Sequence, residues 1–180
     1  MLAHIENSEA GRLKYEPVLN SLFRLTFLLP DNITPDERLT EHAISVTGFR
    51  DVGVENVQQQ SFGAKRNYAS TDVDNTQEIE ITMSLNLNKT NQNYVYKKIR
   101  EWHKAAYNSE TGEYGTASEY MATLIVERLD KKGNTISTKT LKDAWVKGDI
   151  SGIDDYDITN HEPIQLAFTV IGNGVETSEQ

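Results

Sequence analysis

The sequence predicts a mainly β (α+β) fold: a small β-barrel or two-sheet sandwich with one flanking α-helix and a long protruding hairpin. Three observations predict it. From Gln77 to Asn88, the residues Ile79, Ile81, Met83, Leu85 and Leu87 alternate with Glu78, Glu80, Thr82, Ser84, Asn86 and Asn88. Only a pleated strand with one dry and one wet face satisfies that period of two. From Gln92 to Ala106 the period changes: Val95, Ile99, Trp102 and Ala106 recur at helical spacing, while Lys97, Lys98, Arg100, Glu101 and Lys104 lie largely away from them. Shorter alternating runs elsewhere bring the total to about seven strands around one principal helix, the makings of a barrel or sandwich.

In chain order, residues 1–20 are polar without a sustained period and read as an N-terminal arm. Leu22–Leu29 is the first strand, with Phe23, Leu25, Phe27 and Leu29 on one face. Pro30 and Pro35 bracket a turn-rich link. A second strand is expected over Glu41–Thr47, with Ala43 and Ile44 at its heart, and a weaker third over Val52–Phe62. Gly63–Thr76 is polar and charged, with little to bury; it reads as the tip of an extended hairpin if Val54–Phe62 pairs with Gln77–Asn88. The strand at Gln77 follows, its dry face worth roughly 1.5–3 kcal/mol per buried side chain before entropy is charged. Thr90 or Asn91 is placed to cap the helix after it.

Beyond the helix, Asn108–Ser118 reads as a flexible polar loop and Glu119–Leu129 as a strand. Asp130-Lys131-Lys132-Gly133-Asn134 is a hairpin turn whose glycine suits a left-handed conformation. The return strand is Thr135–Leu141, followed by Asp143-Ala144-Trp145-Val146. Ser151–Asn160 is an acidic link and Pro163–Ile171 a last strand, with Ile164, Leu166, Phe168 and Val170 together. Residues 172–180 read as a flexible acidic tail. The expected core comprises Ile79, Ile81, Met83, Leu85, Ile99, Trp102 and Trp145.

One domain accounts for 180 residues. The chain has no cysteine, which excludes disulfides, thiolate metal sites and cysteine nucleophiles. No apolar run approaches a membrane span, and Met1–Glu6 lacks the features of a secretory signal. Cytosolic synthesis is therefore expected, with no stable membrane binding. A net charge of −9 argues against a protein that binds nucleic acid by gathering phosphates, though not against a surface that DNA passes without sticking.

Chemistry is hard to find. His4, His42, His103 and His161 are scattered without paired spacing. Asp154-Asp155-Tyr156-Asp157 lacks the glycine and terminal glutamate of a calcium-binding loop. Nucleophile-elbow and phosphate-loop patterns are missing as well. No enzyme activity and no cofactor are expected.

The order of elements carries a resemblance. Asn20–Phe27 leads to Ala43–Phe49; a long polar hairpin rises into Glu78–Met83; the helix Tyr94–Trp102 follows; then come Ala122–Asn134 and the Leu141–Val146 phrase containing Ala144-Trp145-Val146. Over roughly Asn20 to Gly172, this resembles the tail-tube protein of contractile-tailed bacteriophages, and more distantly the inner-tube proteins of related injection machines. The Pro30–Leu39 link, the Asn108–Ser118 loop and the acidic tail depart from that pattern.

The resemblance implies a small β-barrel-like subunit that forms hexameric rings stacked into a tube, located in the virion tail after synthesis in the bacterial host cytoplasm. Its implied partners are further copies of itself, the tail sheath, the baseplate and the tape-measure protein, with DNA passing non-specifically through the lumen. The wet face Glu78, Glu80, Thr82, Ser84 and Asn86 then looks either into the channel or outward to solvent. Lys65, Arg66, Tyr68, Asp72 and Asp74 become an inter-subunit assembly loop. Two other readings stay open: an inner-tube subunit of an injection system carrying protein cargo, and an unrelated β-barrel that binds a ligand.

Overall fold

The computed structural model describes residues 21–33, 37–51, 53–85, 94–152 and 165–179. The expected arm, Asn86, the helix cap at Thr90 or Asn91 and the acidic link from residue 153 onward lie outside these residues.

The main body is a set of hydrogen-bonded antiparallel strands. They are β1 (Phe23–Leu28), β2 (Ala43–Thr47), β5 (Thr76–Ser84), β8 (Ala122–Leu129), β9 (Thr135–Gly152), β10 (Gln165–Asn173) and β11 (Val175–Glu179). A hairpin of β3 (Val54–Ser61) and β4 (Ala64–Val73) stands apart as its own two-stranded sheet. Helix α1 (Tyr94–Ala106) leads into the short β6 (Tyr107–Asn108) and β7 (Glu113–Tyr114), then helix α2 (Ala117–Tyr120).

Strand order in the main body is β1-β8-β9-β10-β5-β2, with β11 also on β9. The path bends into two sheets because β9 belongs to both. Its first half pairs β8 and β11, and the stretch from Trp145 to Gly152 pairs β10. The register shifts where Asp143 adopts φ 50° and again near Gly148 at φ 69°, and such bulges bend a strand and sharpen its twist. At the other crossing, Gly174 (φ 90°) turns the chain from β10 into β11, its N–H donating to the Asn75 carbonyl at 2.8 Å.

Alternation explains the core. Val170, Phe168 and Leu166 lie opposite Ile79, Ile81 and Met83, and all six are buried with Leu25, Phe27, Leu124, Leu141 and Val146 in one cluster. Helix α1 adds Val95, Ile99 and Trp102 to it. The Trp102 ring meets Phe27 edge-on at 6.3 Å, and its indole N–H donates to the Tyr120 carbonyl at 2.8 Å. That bond satisfies the polar atom of a side chain only 1% exposed. Close packing dictates Gly172, because a Cβ there would stand 2.5 Å from the Leu141 side chain.

Several expectations change. The strand expected over Gln77–Asn88 ends as β5 at Ser84; Leu85 is half-buried against the core just beyond it. β5 pairs with β2 and β10, not with Val54–Phe62. The supposed patternless tip Gly63–Thr76 is mostly β4, which has no core face to write an alternation into its sequence. Ile44, expected at the heart of β2, sits at a bulge between Ala43 and Ser45 and is exposed.

The stretch expected as a loop over Asn108–Ser118 holds β7 and the end of β6, which pair with the Tyr107 and Tyr114 rings 4.7 Å apart. Tyr120 belongs to α2, so β8 begins at Ala122. Thr135–Val146 is one uninterrupted strand that continues to Gly152, and the supposed tail is β11 along β9. Trp145 lies outside the core cluster, half-buried and edge-on to Tyr120 at 6.5 Å.

Candidate assembly surface

Three features of the surface stand out. The first is the β3–β4 hairpin. The turn Phe62-Gly63 joins Ser61 to Ala64 with φ values of 50° and 77°. Two successive left-handed residues match the right-handed twist of the flanking strands, an arrangement that favours Asn-Gly. Phenylalanine with positive φ is strained. It is held there with its side chain fully in solvent. Val54, Val57, Tyr68 and Val73 are also exposed large apolar side chains on this hairpin.

A lone two-stranded hairpin is marginally stable in water, so this one gains from a cover. Within it Lys65 lies opposite Gln60, Arg66 opposite Gln59 and Tyr68 opposite Val57. Both cations are exposed. Asp74, just beyond β4, accepts the Thr76 N–H at 2.9 Å and stands 3.8 Å from the Arg50 guanidinium. Asp72 is in β4, but its side chain lies outside what the structure describes.

The second feature is the outer face of the β2-β5-β10 sheet. Glu78 and Glu80 are exposed, and Thr82 and Ser84 are half-buried. The register adds Thr47 beside Glu80, Ser45 beside Thr82, and Thr169 across from Glu80. The face is therefore rich in carboxylates and hydroxyls. A cation also reaches it: Lys147 Nζ lies 3.2 Å from Glu78 Oε1. Asn86 lies outside the described residues.

The third is the pair of sheet rims. β1 and β2 end the hydrogen-bonded path, and among the described residues each has one strand partner. Open rims of this kind are templates for pairing with another chain.

Local chemistry fixes the corners between these features. Asp51, at the base of the hairpin, accepts from Lys139 Nζ and from the Thr177 hydroxyl, each at 3.2 Å. The hydrogen bond from Lys139, then that from Thr177, holds its carboxyl below the usual aspartate range. Asp130 organises the β8–β9 turn by accepting from the Asn134 side chain and from the Asn134 and Lys132 N–H groups. These bonds lower its pKa too, led by the Asn134 side chain. Gln77 is the buried polar residue of the core and accepts the Arg50 N–H at 3.2 Å.

Among the described residues, no cluster of His, Asp or Glu side chains is placed to hold a metal ion. Nor is any described helix long and apolar enough to cross a membrane. The sequence alone pointed to Lys65, Arg66 and Glu78 but passed over Phe62, although a glycine directly after an extended run is the signal of a two-residue turn.

No protein-family model matches the chain, and no curated protein matches it. Its fold does match solved structures. One is the tube-terminating cap of the anti-feeding prophage, with a TM-score of 0.65, 14% identity and coverage of 92% of this chain and 93% of that one. A second is a chain of the sheath–tube complex of PVC, an extracellular contractile injection system, in its extended state, with a TM-score of 0.63, 12% identity and coverage of 96% and 99%. A third is the SPP1 tail tube, with a TM-score of 0.53, 11% identity and coverage of 91% and 80%. The chain has a tail-tube fold.

Proposed function

We propose that this chain is a structural subunit of a tail tube, not an enzyme, and that copies of it close into hexameric rings and stack around a channel. The observation that carries the reading is the match of nearly the whole chain to a tube-terminating cap and to a chain of a sheath–tube complex, over nearly their whole length. Two physical features support it. A fold whose edge strands β1 and β2 each have one strand partner among the described residues removes an aggregation hazard by pairing with copies of itself, and head-to-tail pairing that closes on rotation makes a ring. The outer face bearing Glu78, Glu80, Thr82 and Ser84 lines the channel in this reading, where carboxylates and hydroxyls give phosphates little to grip. The cargo is then DNA on its way into a host, and the outside of the tube meets sheath and baseplate proteins.

Electron microscopy of the purified chain in negative stain tests the role. Rings or hollow tubes of uniform diameter are expected. Monodisperse single subunits at every concentration, with and without a preformed tube end as a seed, would overturn it.

A second reading has its own support. The fold lies nearer to the two contractile injection-system chains, at TM-scores of 0.65 and 0.63, than to the SPP1 tail tube at 0.53. In that case the channel delivers protein. Isolating intact particles and assaying their contents for nuclease-protected DNA separates the two cargoes.

A further inference from the structure

The two ends of the β3–β4 hairpin carry opposite charge. Between Glu55 and Asp72 the only charged residues are Lys65 and Arg66, close to the tip, in a chain whose net charge is −9. At the foot of the same hairpin lies a cleft of about 250 Å³ bordered by Asp51, Val54, Glu55 and Asp74, with Arg50 and Gln77 beside them. Of its three carboxylates, Asp51 is tied to Lys139 and Asp74 stands 3.8 Å from Arg50, so the rim is acidic by the charge of Glu55, and it has an exposed apolar side chain in Val54. The tip offers two cations and one exposed aromatic ring, Phe62, held at a strained φ of 50°. Knob and seat match in charge and in kind.

They cannot meet within one molecule. β3 is eight residues long, so at ~3.3 Å per residue Phe62 stands about 26 Å from the foot, and Lys65 and Arg66, opposite Gln60 and Gln59, stand about 13–17 Å along the strand from Glu55. We propose that the hairpin tip of one copy docks in the hairpin-foot cleft of a second copy, Lys65 and Arg66 facing Glu55 and Asp74, and Phe62 packing on Val54. This rests on the tube reading above and names the residues that join its subunits. Because knob and seat lie on different parts of the surface, the contact is heterologous, and each junction leaves a free tip and a free cleft for the next. Copies joined in this way are displaced along the hairpin axis.

Charge exchange tests the docking. Lys65→Glu with Arg66→Glu sets two glutamates against Glu55 and Asp74; tubes are expected to be lost, or their critical concentration to rise at least tenfold. Glu55→Arg with Asp74→Arg is expected to do the same. Combining all four substitutions restores complementarity at every junction and is expected to bring tubes back. Circular dichroism and thermal melting on each variant confirm that the barrel is intact.

Tubes that persist in either charge-reversed pair overturn the docking while leaving the tube reading in place. Loss in both pairs without recovery in the combined variant overturns the choice of cleft. Wild-type protein that never forms rings or tubes overturns the tube reading itself.

Discussion

Gly172 is held by sterics alone. It lies in β10 opposite Gln77, and the Leu141 side chain fills the space that a Cβ would need. Overpacking a filled core costs about 1–3 kcal/mol, so Gly172→Ala is expected to lower the unfolding free energy by that much, read from urea denaturation. Leu141→Ala in the same chain opens the space, and the double variant is expected to lose less than the sum of the single losses. Additive losses would mean that the two positions do not touch.

Asp51 works through charge. Its carboxylate ties the hairpin foot to Lys139 on β9 and Thr177 on β11. Because its pKa is lowered in the folded state, its contribution is complete above the ordinary aspartate pKa and lost as pH falls through the lowered value. Wild type and Asp51→Asn should therefore differ in melting temperature at neutral pH and converge in strong acid. The carboxylate is exposed, so the difference is small and fades in high salt. A gap that widens on acidification would contradict the sign.

Among the elements, the β3–β4 hairpin sets stability against use. A turn with two left-handed residues prefers Asn-Gly, yet Phe62 stands at its first position. Phe62→Asn is expected to stabilise the hairpin by about 1 kcal/mol, read from slower amide exchange across β3 and β4. It is also expected to weaken polymerisation, because the ring is gone. Faster exchange would show that the ring packs within the isolated subunit. Helix α1 presents the opposite case: local period and tertiary role agree, and Val95, Ile99 and Trp102 are buried as their spacing predicts. The two-residue strands β6 and β7 are too short to leave any period in the sequence.

At the scale of the whole molecule, the outer face of the β2-β5-β10 sheet is the channel lining proposed above. Lys147 Nζ lies 3.2 Å from Glu78 Oε1 there, and Glu80 is the face's other exposed carboxylate. Glu78→Lys with Glu80→Lys would turn it basic without touching the core. Assembly is expected to continue, with DNA ejection slowed or stalled, as measured by release kinetics from intact particles. Ejection at the normal rate would remove this face from the channel lining.

The sequence by itself determined the elements with the longest buried faces, though not the burial of Ile33 and Leu39 or the facing of Ile44. Ile79, Ile81 and Met83 on β5, Leu25 and Phe27 on β1, Leu166, Phe168 and Val170 on β10, and the α1 stripe are all legible, because water exclusion selects apolar residues at the period of the backbone. Only the tertiary structure decided β4 and β11, whose exposed residues carry no such selection and which extend because a partner strand holds them. It also decided the bending of β9 at Asp143 and Gly148, the place of Trp145 outside the core, and the meeting of Asp51 with Lys139 across 88 residues of chain. Burial writes a period into local sequence; strand partnership and long-range charge pairing do not, since each depends on residues far away along the chain.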